Sequence, residues 1–528
     1  MLGPALVVAL GLALAVATAV SSRTRIAAPV LLLVFGAALA FIPAFATIKL
    51  PADAVLLLFL PALLFWESLT TSLREIRKNL RGIILMGSLL VAVTAGGVAV
   101  LLHAMGLQWG PAWVLGAALA PTDATAVGVL TKMLPRRNVT VLRAESLVND
   151  GTALVIYGIA VAVTAGTESL SAWGVTGSLA LSYAGGLASG AVVAWAGMHV
   201  LRRVNTVALE NLVTLLVPFT AFLVAEAIGS SGVLAVVVAG LVVSQIGVKV
   251  NRADSRQEMR AFWTFAIFLL NGALFVLVGI EATTAVRDLP NSEIARGAIL
   301  VGLVTVTLIV IRFAFQFVAA GGIRIVTRFT GGAPREGNRD RAISGFAGFR
   351  GAVSLAAAVA VPATTSSGSP FPDRGLIVFV TAGVVVATIV VQSLILPAVV
   401  RRANLPVDEE LHEELHAAEE TSTEEALDAL PDLAEDAGVS DEVVDRVRDD
   451  YNRRLELLDA RRSEEENHPV VQGHDAAVQL KLALIRQKSA TVIRMRDDGD
   501  IDDTVLRQVQ GRLDAEEARL LEQAPEEH

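Results

Sequence analysis

The sequence has no cysteine, only three tyrosines and seven histidines in 528 residues, and no His-Glu-X-X-His element within residues 1 to 402. Without thiols there is no disulfide framework and no thiolate ligand for a soft metal. No serine is accompanied by a histidine at membrane depth, so an intramembrane hydrolase has neither nucleophile activation nor a base. His103 and His199 lie near the ends of apolar runs and carry no assigned role. Acidic residues are scarce in the first three quarters of the chain. Residues 1 to 402 hold 17 Asp and Glu against 29 Lys and Arg, whereas residues 403 to 528 hold 35 against 14. The net charge of −9 therefore hides a basic part and a strongly acidic one. The change near Arg401-Arg402 is read as a change of solvent.

What is abundant is aliphatic. Hydrophobic residues make up 54% of the chain, and the mean hydropathy is +0.60. That is too apolar for a soluble protein of this length, and the Ala, Val, Leu and Gly content suits close-packed membrane helices. Apolar runs of about 17 to 25 residues, long enough to cross a bilayer, begin near Leu2, Ala27, Ala54, Gly82, Ala112, Val141, Ala172, Leu209, Gly232, Glu258, Glu293, Arg341 and Arg374. The expected fold is all-α and polytopic, with about thirteen transmembrane helices. The first run has no basic stretch before Gly3 and leads into a second run, so it counts as a span rather than a signal peptide.

The loops give an independent check. With the N-terminus outside, the cytoplasmic loops contain Arg23 and Arg25; Arg74, Arg77, Lys78 and Arg81; Lys132, Arg136, Arg137 and Arg143; Arg202 and Arg203; Lys249, Arg252, Arg256 and Arg260; and Arg324, Arg328, Arg335, Arg339 and Arg341. The alternate loops contain only Lys49, Arg287, Arg296 and Arg374. This alternation is the positive-inside pattern. It puts the acidic tail in the cytoplasm, and the expected location is the cell (plasma) membrane.

Within this apolar frame one segment is exceptional: Glu145-Ser146-Leu147-Val148-Asn149-Asp150-Gly151. A charge at bilayer depth costs about 2.5 to 3.5 kcal/mol even on a lenient scale, so such a residue is read first as functional. On a helix Ser146, Asn149 and Asp150 stand at i, i+3 and i+4, placing three oxygen-bearing side chains on one face. Glu67, Asp123 and Glu145 lie at comparable depth, with Glu226 as a further candidate. Arg312 and Arg350 also fall inside apolar runs, where each needs a carboxylate or carbonyl partner. Glu145 stands one residue before Ser146, turned about 100° from it, so it is placed to meet a neighbouring helix; Arg312 is its expected partner and Arg350 the second choice.

Two spans contain irregular stretches. In the fifth, Ala120-Pro121-Thr122-Asp123-Ala124 puts a proline ahead of two polar residues, which removes a backbone donor and frees carbonyls of the preceding turn. In the twelfth, Gly345, Gly348 and Gly351 surround Arg350. An offset of seven spans is what a six-span unit repeated in inverted orientation with one linking helix would give. Interrupted helices at corresponding positions of inverted repeats point to a mid-membrane binding site.

The combination of APTDATAVG, ESLVNDGTALV and GFRGAVSLAAAVAVP, with LPALLFWESL upstream and Arg312 between, resembles the sodium/proton exchanger family, the electroneutral branch of the monovalent cation/proton antiporters. The resemblance extends over residues 1 to 402. It implies a six-helix core with two unwound helices crossing at mid-membrane, a dimerisation domain and hence a homodimer, and exchange of Na+ or Li+ for H+ without a cofactor. It further implies that Asp150 binds either cation or proton with Asn149 beside it, that Ser146 and the Thr122 carbonyl are Na+ ligands, that Asp123 is a water-linked carboxylate, and that Glu67 reaches in from the third span. Glu145 and Arg312 correspond to a buried ion pair that braces the site, and Arg350 to the arginine of the second unwound helix. The chain departs from the family at Ala124, where proline is frequent, and at Phe349, where Pro, Leu or Met is commoner. No nucleic-acid partner is implied; the partners are the lipid bilayer, monovalent cations and protons.

The residue chemistry fits independently. Na+ is a hard cation, and Asp, Ser, Asn and a freed carbonyl offer oxygen without sulfur or nitrogen competitors. Proton and cation compete for a single desolvated carboxylate, and the loaded site carries the same charge with either, so exchange is electroneutral; Asn149 cannot take up a second proton. Three alternatives stay open: K+ as the exchanged ion, a passive cation channel, and purely structural hydrogen bonding by the polar residues.

The tail reads as helices over Asp441 to Arg462, capped by Ser440, over Gly473 to Met495, and over Asp500 to Gln523. Thr421-Ser422-Thr423 reads as linker. The acidic cluster from Asp497 to Asp503 lacks the spacing and the terminal Glu of a calcium loop and is read as an acidic helix start. Residues 403–528 are expected to form a cytoplasmic regulatory or dimer-contact domain.

Overall fold

The computed structural model describes residues 2–24, 26–46, 52–123, 136–166, 172–204, 206–287, 290–330, 338–403, 409–462 and 468–521. They belong to two compact units, Met1–Val407 and Asp408–His528. Among the described residues there is no β-strand; Thr364 and Pro370 form one isolated bridge.

The first unit begins with α1 (Leu2–Arg23), α2 (Ala28–Leu39) and a single turn, α3 (Pro43–Ala46). Next come α4 (Ala52–Leu69), α5 (Leu73–Ala104), α6 (Trp109–Leu119), α7 (Arg136–Ala165), α8 (Ala172–Leu201), α9 (Val207–Ala227) and α10 (Gly232–Val250). The long α11 (Ala253–Arg287) and α12 (Asn291–Thr330) precede a broken span, α13 (Asn338–Phe346) and α14 (Ala352–Val359), and then α15 (Arg374–Ala403). The thirteen apolar runs fall on α1, α2, α4 to α12, the α13/α14 pair and α15. Eight of the described helices, α5, α7 to α12 and α15, are long and apolar enough to cross a bilayer. The outward faces remain greasy: Leu181, Trp195, Phe265, Val318 and Leu394 are all more than 60% exposed. In water such faces would drive aggregation, whereas acyl chains solvate them.

With no hydrophobic force between helices in lipid, close backbone approach supplies the packing. The clearest instance is α2 against α11, where a Cβ on Gly36 would strike the Val276 carbonyl and one on Gly279 the Leu33 carbonyl. Two differences from the sequence-based boundaries matter. Helix α11 starts at Ala253 rather than Glu258, because its polar first turns continue the apolar run beyond bilayer depth. Arg341 lies within α13 and is buried, not in a loop, as α13 packs against α12 and α15.

The second unit contains α16 (Glu409–Asp428), α17 (Leu430–Ala437), α18 (Asp441–Arg462), α19 (Pro469–Asp497) and α20 (Asp503–Leu521). Thr421-Ser422-Thr423 is helical within α16 rather than linker: the Thr423 hydroxyl bonds back to the Glu419 carbonyl at 2.6 Å, which keeps a poor helix former inside the helix. Helix α17 ends at Gly438, whose φ of 64° is the left-handed cap conformation that glycine adopts without strain. The acidic cluster caps α20: Asp502 Oδ1 accepts the Thr504 N–H at 2.7 Å, and this bond holds the exposed carboxyl below its usual pKa. Val478, Leu482 and Ile485 of α19 pack with Leu513 and Leu520 of α20 in a core of the tail's own.

Candidate functional site

Two helix breaks meet inside the first unit. Helix α6 stops at Leu119, ahead of Pro121, and residues 121–123 continue without regular secondary structure. The twelfth span opens between Phe346 and Ala352. Across the gap the Asp123 N–H donates to the Phe349 carbonyl at 2.8 Å, and the Ala352 N–H donates to Asp123 Oδ2 at 3.4 Å. Gly351 is required here, since a Cβ would fall on the Asp123 carboxylate. The continuation of the fifth span beyond Asp123, including the departure at Ala124, lies outside the described residues.

Broken helices leave carbonyls without donors, and arginines supply them. Arg350, 2% exposed, donates Nε–H to the Leu119 carbonyl at 2.9 Å and Nη1–H to the Gly348 carbonyl, so it ties the end of α6 to the other break. Arg312 donates Nε–H to the Ser344 carbonyl at 2.8 Å, and its Nη1 lies 3.1 Å from Glu145 Oε1. That second contact is an ion pair by distance, with no N–H aimed at the oxygen. Arg312, not Arg350, is therefore the guanidinium against Glu145, and the pair joins α7, α12 and α13.

Asp150 lies in the middle of α7, 3% exposed, and its Oδ1 has no hydrogen-bond partner. It lines a cavity of about 40 Å³ together with Glu67 of α4, Thr122 and Asp123 of the first break, Asn271 of α11, and Gly351 to Ser354 at the start of α14. Room on this scale accommodates water or a small ion. Glu67 Oε1 is likewise buried and unpartnered. Segments of α4, α7, α11, α14 and the chain after α6 thus converge on a small cavity lined by the carboxylates of Glu67, Asp123 and Asp150.

Ser146 and Asn149 do not line that cavity. The Ser146 hydroxyl donates to the Thr122 carbonyl at 2.5 Å. The Asn149 carboxamide sits among the Gly87 and Glu145 carbonyls and the Thr122 hydroxyl, each about 3.1 Å away. Two carbonyls need donors, so the amide nitrogen faces them and its oxygen accepts from Thr122. Both side chains bond to Thr122. The amide's neutrality is explained by this neighbourhood as well as by charge balance, because a carboxylate there would face two carbonyls with nothing to donate.

Asn271 and Ser354 were not singled out from the sequence. Asn271 is the one carboxamide or charge between Arg260 and Glu281, and Ser354 the one hydroxyl between Gly351 and Val361; isolation of a polar residue in an apolar run was the available signal.

Comparison with known proteins bears on this arrangement. Residues 10–402 match the model of the family described as sodium/hydrogen exchanger, transmembrane. An uncharacterised Na+/H+ exchanger of Mycobacterium tuberculosis is 41% identical, with 99% of this chain and 97% of the relative covered. Another from Escherichia coli is 30% identical over 94% of this chain and 95% of the relative. The fold is similar to that of the sodium proton antiporter MjNhaP1 from Methanocaldococcus jannaschii, with a TM-score of 0.58 at 16% identity, covering 76% of this chain and 99% of that one. Sequence match, all-helical spans and the likeness of the fold agree, and the chain belongs to the sodium/hydrogen exchanger family.

Proposed function

We propose that this chain is a secondary active transporter that exchanges Na+ or Li+ for H+ by alternating access, with Asp150 as the group that carries either ion. The observation that carries this reading is the unpartnered Asp150 oxygen, buried in a multi-pass membrane protein beside a cavity at the crossing of two broken helices. A buried carboxylate with no donor needs either a proton or a cation, and a site that accepts one or the other exchanges them. Glu67 faces the same cavity as an accessory carboxylate, Asp123 orders the start of α14, and Thr122, Ser146 and Asn149 shape the wall. Glu145 and Arg312 brace it. One carboxylate neutralised once per half-cycle makes the exchange electroneutral. The N-terminus is assigned to the outside and the tail to the cytoplasm on the loop charges, a homodimer on the family resemblance, and a regulatory or dimer-contact role to residues 403–528.

The test is a sealed vesicle with an acid interior. Addition of Na+ or Li+ outside releases lumenal protons with the wild-type protein, and Asp150→Asn abolishes the release while the protein still inserts. Exchange retained by that variant overturns the assignment. Dissipation of a Na+ gradient without proton movement identifies a passive channel instead. K+ is the third arm, because a Bacillus subtilis relative, 30% identical over 66% of this chain, is named a sodium, potassium, lithium and rubidium/H+ antiporter. A valinomycin-set potential leaves the rate unchanged if exchange is electroneutral, whereas net movement of one charge is driven by about 2.3 kcal/mol per 100 mV.

A further inference from the structure

We propose that the Ser354 hydroxyl is a ligand of the transported cation, so that α14 contributes a side-chain oxygen to the site as well as helping to frame it. Three buried oxygens without hydrogen-bond partners line one cavity: Asp150 Oδ1 from α7, Glu67 Oε1 from α4 and Ser354 Oγ from α14. Buried polar atoms are nearly always satisfied, and a group of orphans around a common space marks where a partner belongs. A dehydrated monovalent cation can take a lone pair from each of these oxygens.

Ser354 differs in this from most hydroxyls of the apolar helices; Thr305 of α12 and Tyr157 of α7 are likewise without a partner but do not line the cavity. Thr152 bonds back to the Val148 carbonyl, Thr164 to Ala160, Thr381 to Ile377 and Thr388 to Val385. That is the usual fate of a hydroxyl on a membrane helix, which neutralises its own polarity on the preceding turn. Ser354 is the third residue of α14, so the preceding turn is the break itself, with Arg350 and Gly351 outside the helix. The helix break therefore leaves the hydroxyl free, while the residue is only 1% exposed. Ser146, the hydroxyl that the sequence pattern favours, already donates to the Thr122 carbonyl and lies outside the cavity lining.

A neutral hydroxyl suits the role. It adds a hard oxygen without adding charge, so the balance between the proton-loaded and cation-loaded states of Asp150 is unchanged. The positive end of α14, which would repel a cation, is covered by Asp123, whose Oδ2 accepts the Ala352 N–H.

This assignment rests on the exchange reading above, and its test separates the two. In proteoliposomes the Na+ and Li+ dependence of proton release is titrated for wild type, Ser354→Ala and Ser354→Thr, and the concentration of each ion needed for half-maximal thermal stabilisation is measured in detergent. Loss of one ligand raises the apparent KM of Ser354→Ala for both ions about tenfold, equivalent to about 1.4 kcal/mol, and moves the stabilisation midpoint in parallel. Ser354→Thr, which keeps the hydroxyl, binds more tightly than the alanine variant. Wild-type ion dependence in Ser354→Ala overturns the proposal, as does a threonine variant that melts like wild type without ion yet binds no better than alanine. Absence of exchange by the wild type itself breaks the exchange reading, whereas normal wild-type exchange with an unaltered alanine variant breaks only the Ser354 assignment.

Discussion

The arginines of the membrane unit and those of the tail make ion pairs of similar length and opposite character. Arg312 and Glu145, 3.1 Å apart, have side chains 3% and 14% exposed; Arg448 and Asp445, 3.0 Å apart, are 46% and 71% exposed. Arg312, Arg350 and Arg374 also donate to backbone carbonyls at a helix end or break: Arg312 to Ser344, Arg350 to Leu119 and Gly348, Arg374 to Val359 and Val361. Several tail arginines instead pair along one helix at i, i+3 or i, i+4, as Arg446 does with Glu442 and Arg453 with Asp450, while Arg461 and Arg496 reach Asp475 and Asp503 of the following helix. In lipid the guanidinium is needed because interrupted helices expose carbonyls that no water can satisfy; the carboxylate then compensates the charge. In water the carbonyls are solvated and the pair is an embellishment.

The comparison predicts its largest effect at Glu145 and Arg312. Removing one partner of a buried pair leaves the other uncompensated, at a cost of about 3 to 5 kcal/mol. Glu145→Gln and Arg312→Ala are each expected to lower the melting temperature in detergent substantially. Replacing both, by Glu145→Leu with Arg312→Met, removes the stranded charge and recovers part of the loss. Recovery stays incomplete, because the Ser344 carbonyl loses the Arg312 Nε–H. Full recovery would show that the carboxylate, rather than the broken helix, is what the arginine serves. Transport need not return with stability, as the pair also fixes α7 against α13.

An intermediate effect is expected at Arg374. It stands at the start of α15, donates to the Val361 carbonyl at 2.9 Å and the Val359 carbonyl at 3.3 Å, and meets Glu281 of α11 at 3.3 Å. Its side chain is 28% exposed, so water screens part of the pair. A cation at a partly buried helix C-terminus contributes up to about 2 kcal/mol, and Arg374→Ala should lose about that much in a thermal or denaturant measurement. Arg374→Lys should lose more than half of it, since an ammonium cannot fork across a carboxylate and two carbonyls. A lysine variant as stable as wild type would mean that charge alone matters here.

How much of this was legible in the sequence differs between backbone and side chains. The spans were legible because lipid demands long apolar runs, and the breaks because Pro121 and the glycines around Arg350 cannot sustain a regular helix in the middle of one. Pairing of Glu145 with Arg312 followed from depth and isolation. Orientation of small polar groups did not follow. Ser146, Asn149 and Asp150 share one helical face; Asp150 lines the cavity, while the other two bond to Thr122 of the stretch after α6. Ser354 was hidden for the complementary reason: a serine near a helix start looks like many others until the missing preceding turn is seen. In the tail, the hydroxyl run 421–423 read as linker because back-bonding to the helix is invisible in composition.

The smallest effect is expected in the tail, and it is the sharpest check on the comparison. Arg448 and Asp445 are close enough for a charge-assisted hydrogen bond, but both side chains are largely in water, and holding two long side chains in one geometry opposes the gain. A double-mutant cycle with Arg448→Ala and Asp445→Ala, read from the tail's thermal transition in the full-length chain, should give a coupling of about 0.3 to 0.5 kcal/mol. Raising the salt to about 1 M contracts the screening length to about 3 Å and should remove most of that coupling. The pair Glu145–Arg312 should hardly respond to the same salt, because ions do not enter its surroundings. If the tail pair couples by more than about 1 kcal/mol, or if salt weakens the two pairs equally, then burial is not what separates them, and geometry or neighbouring charges must carry the difference.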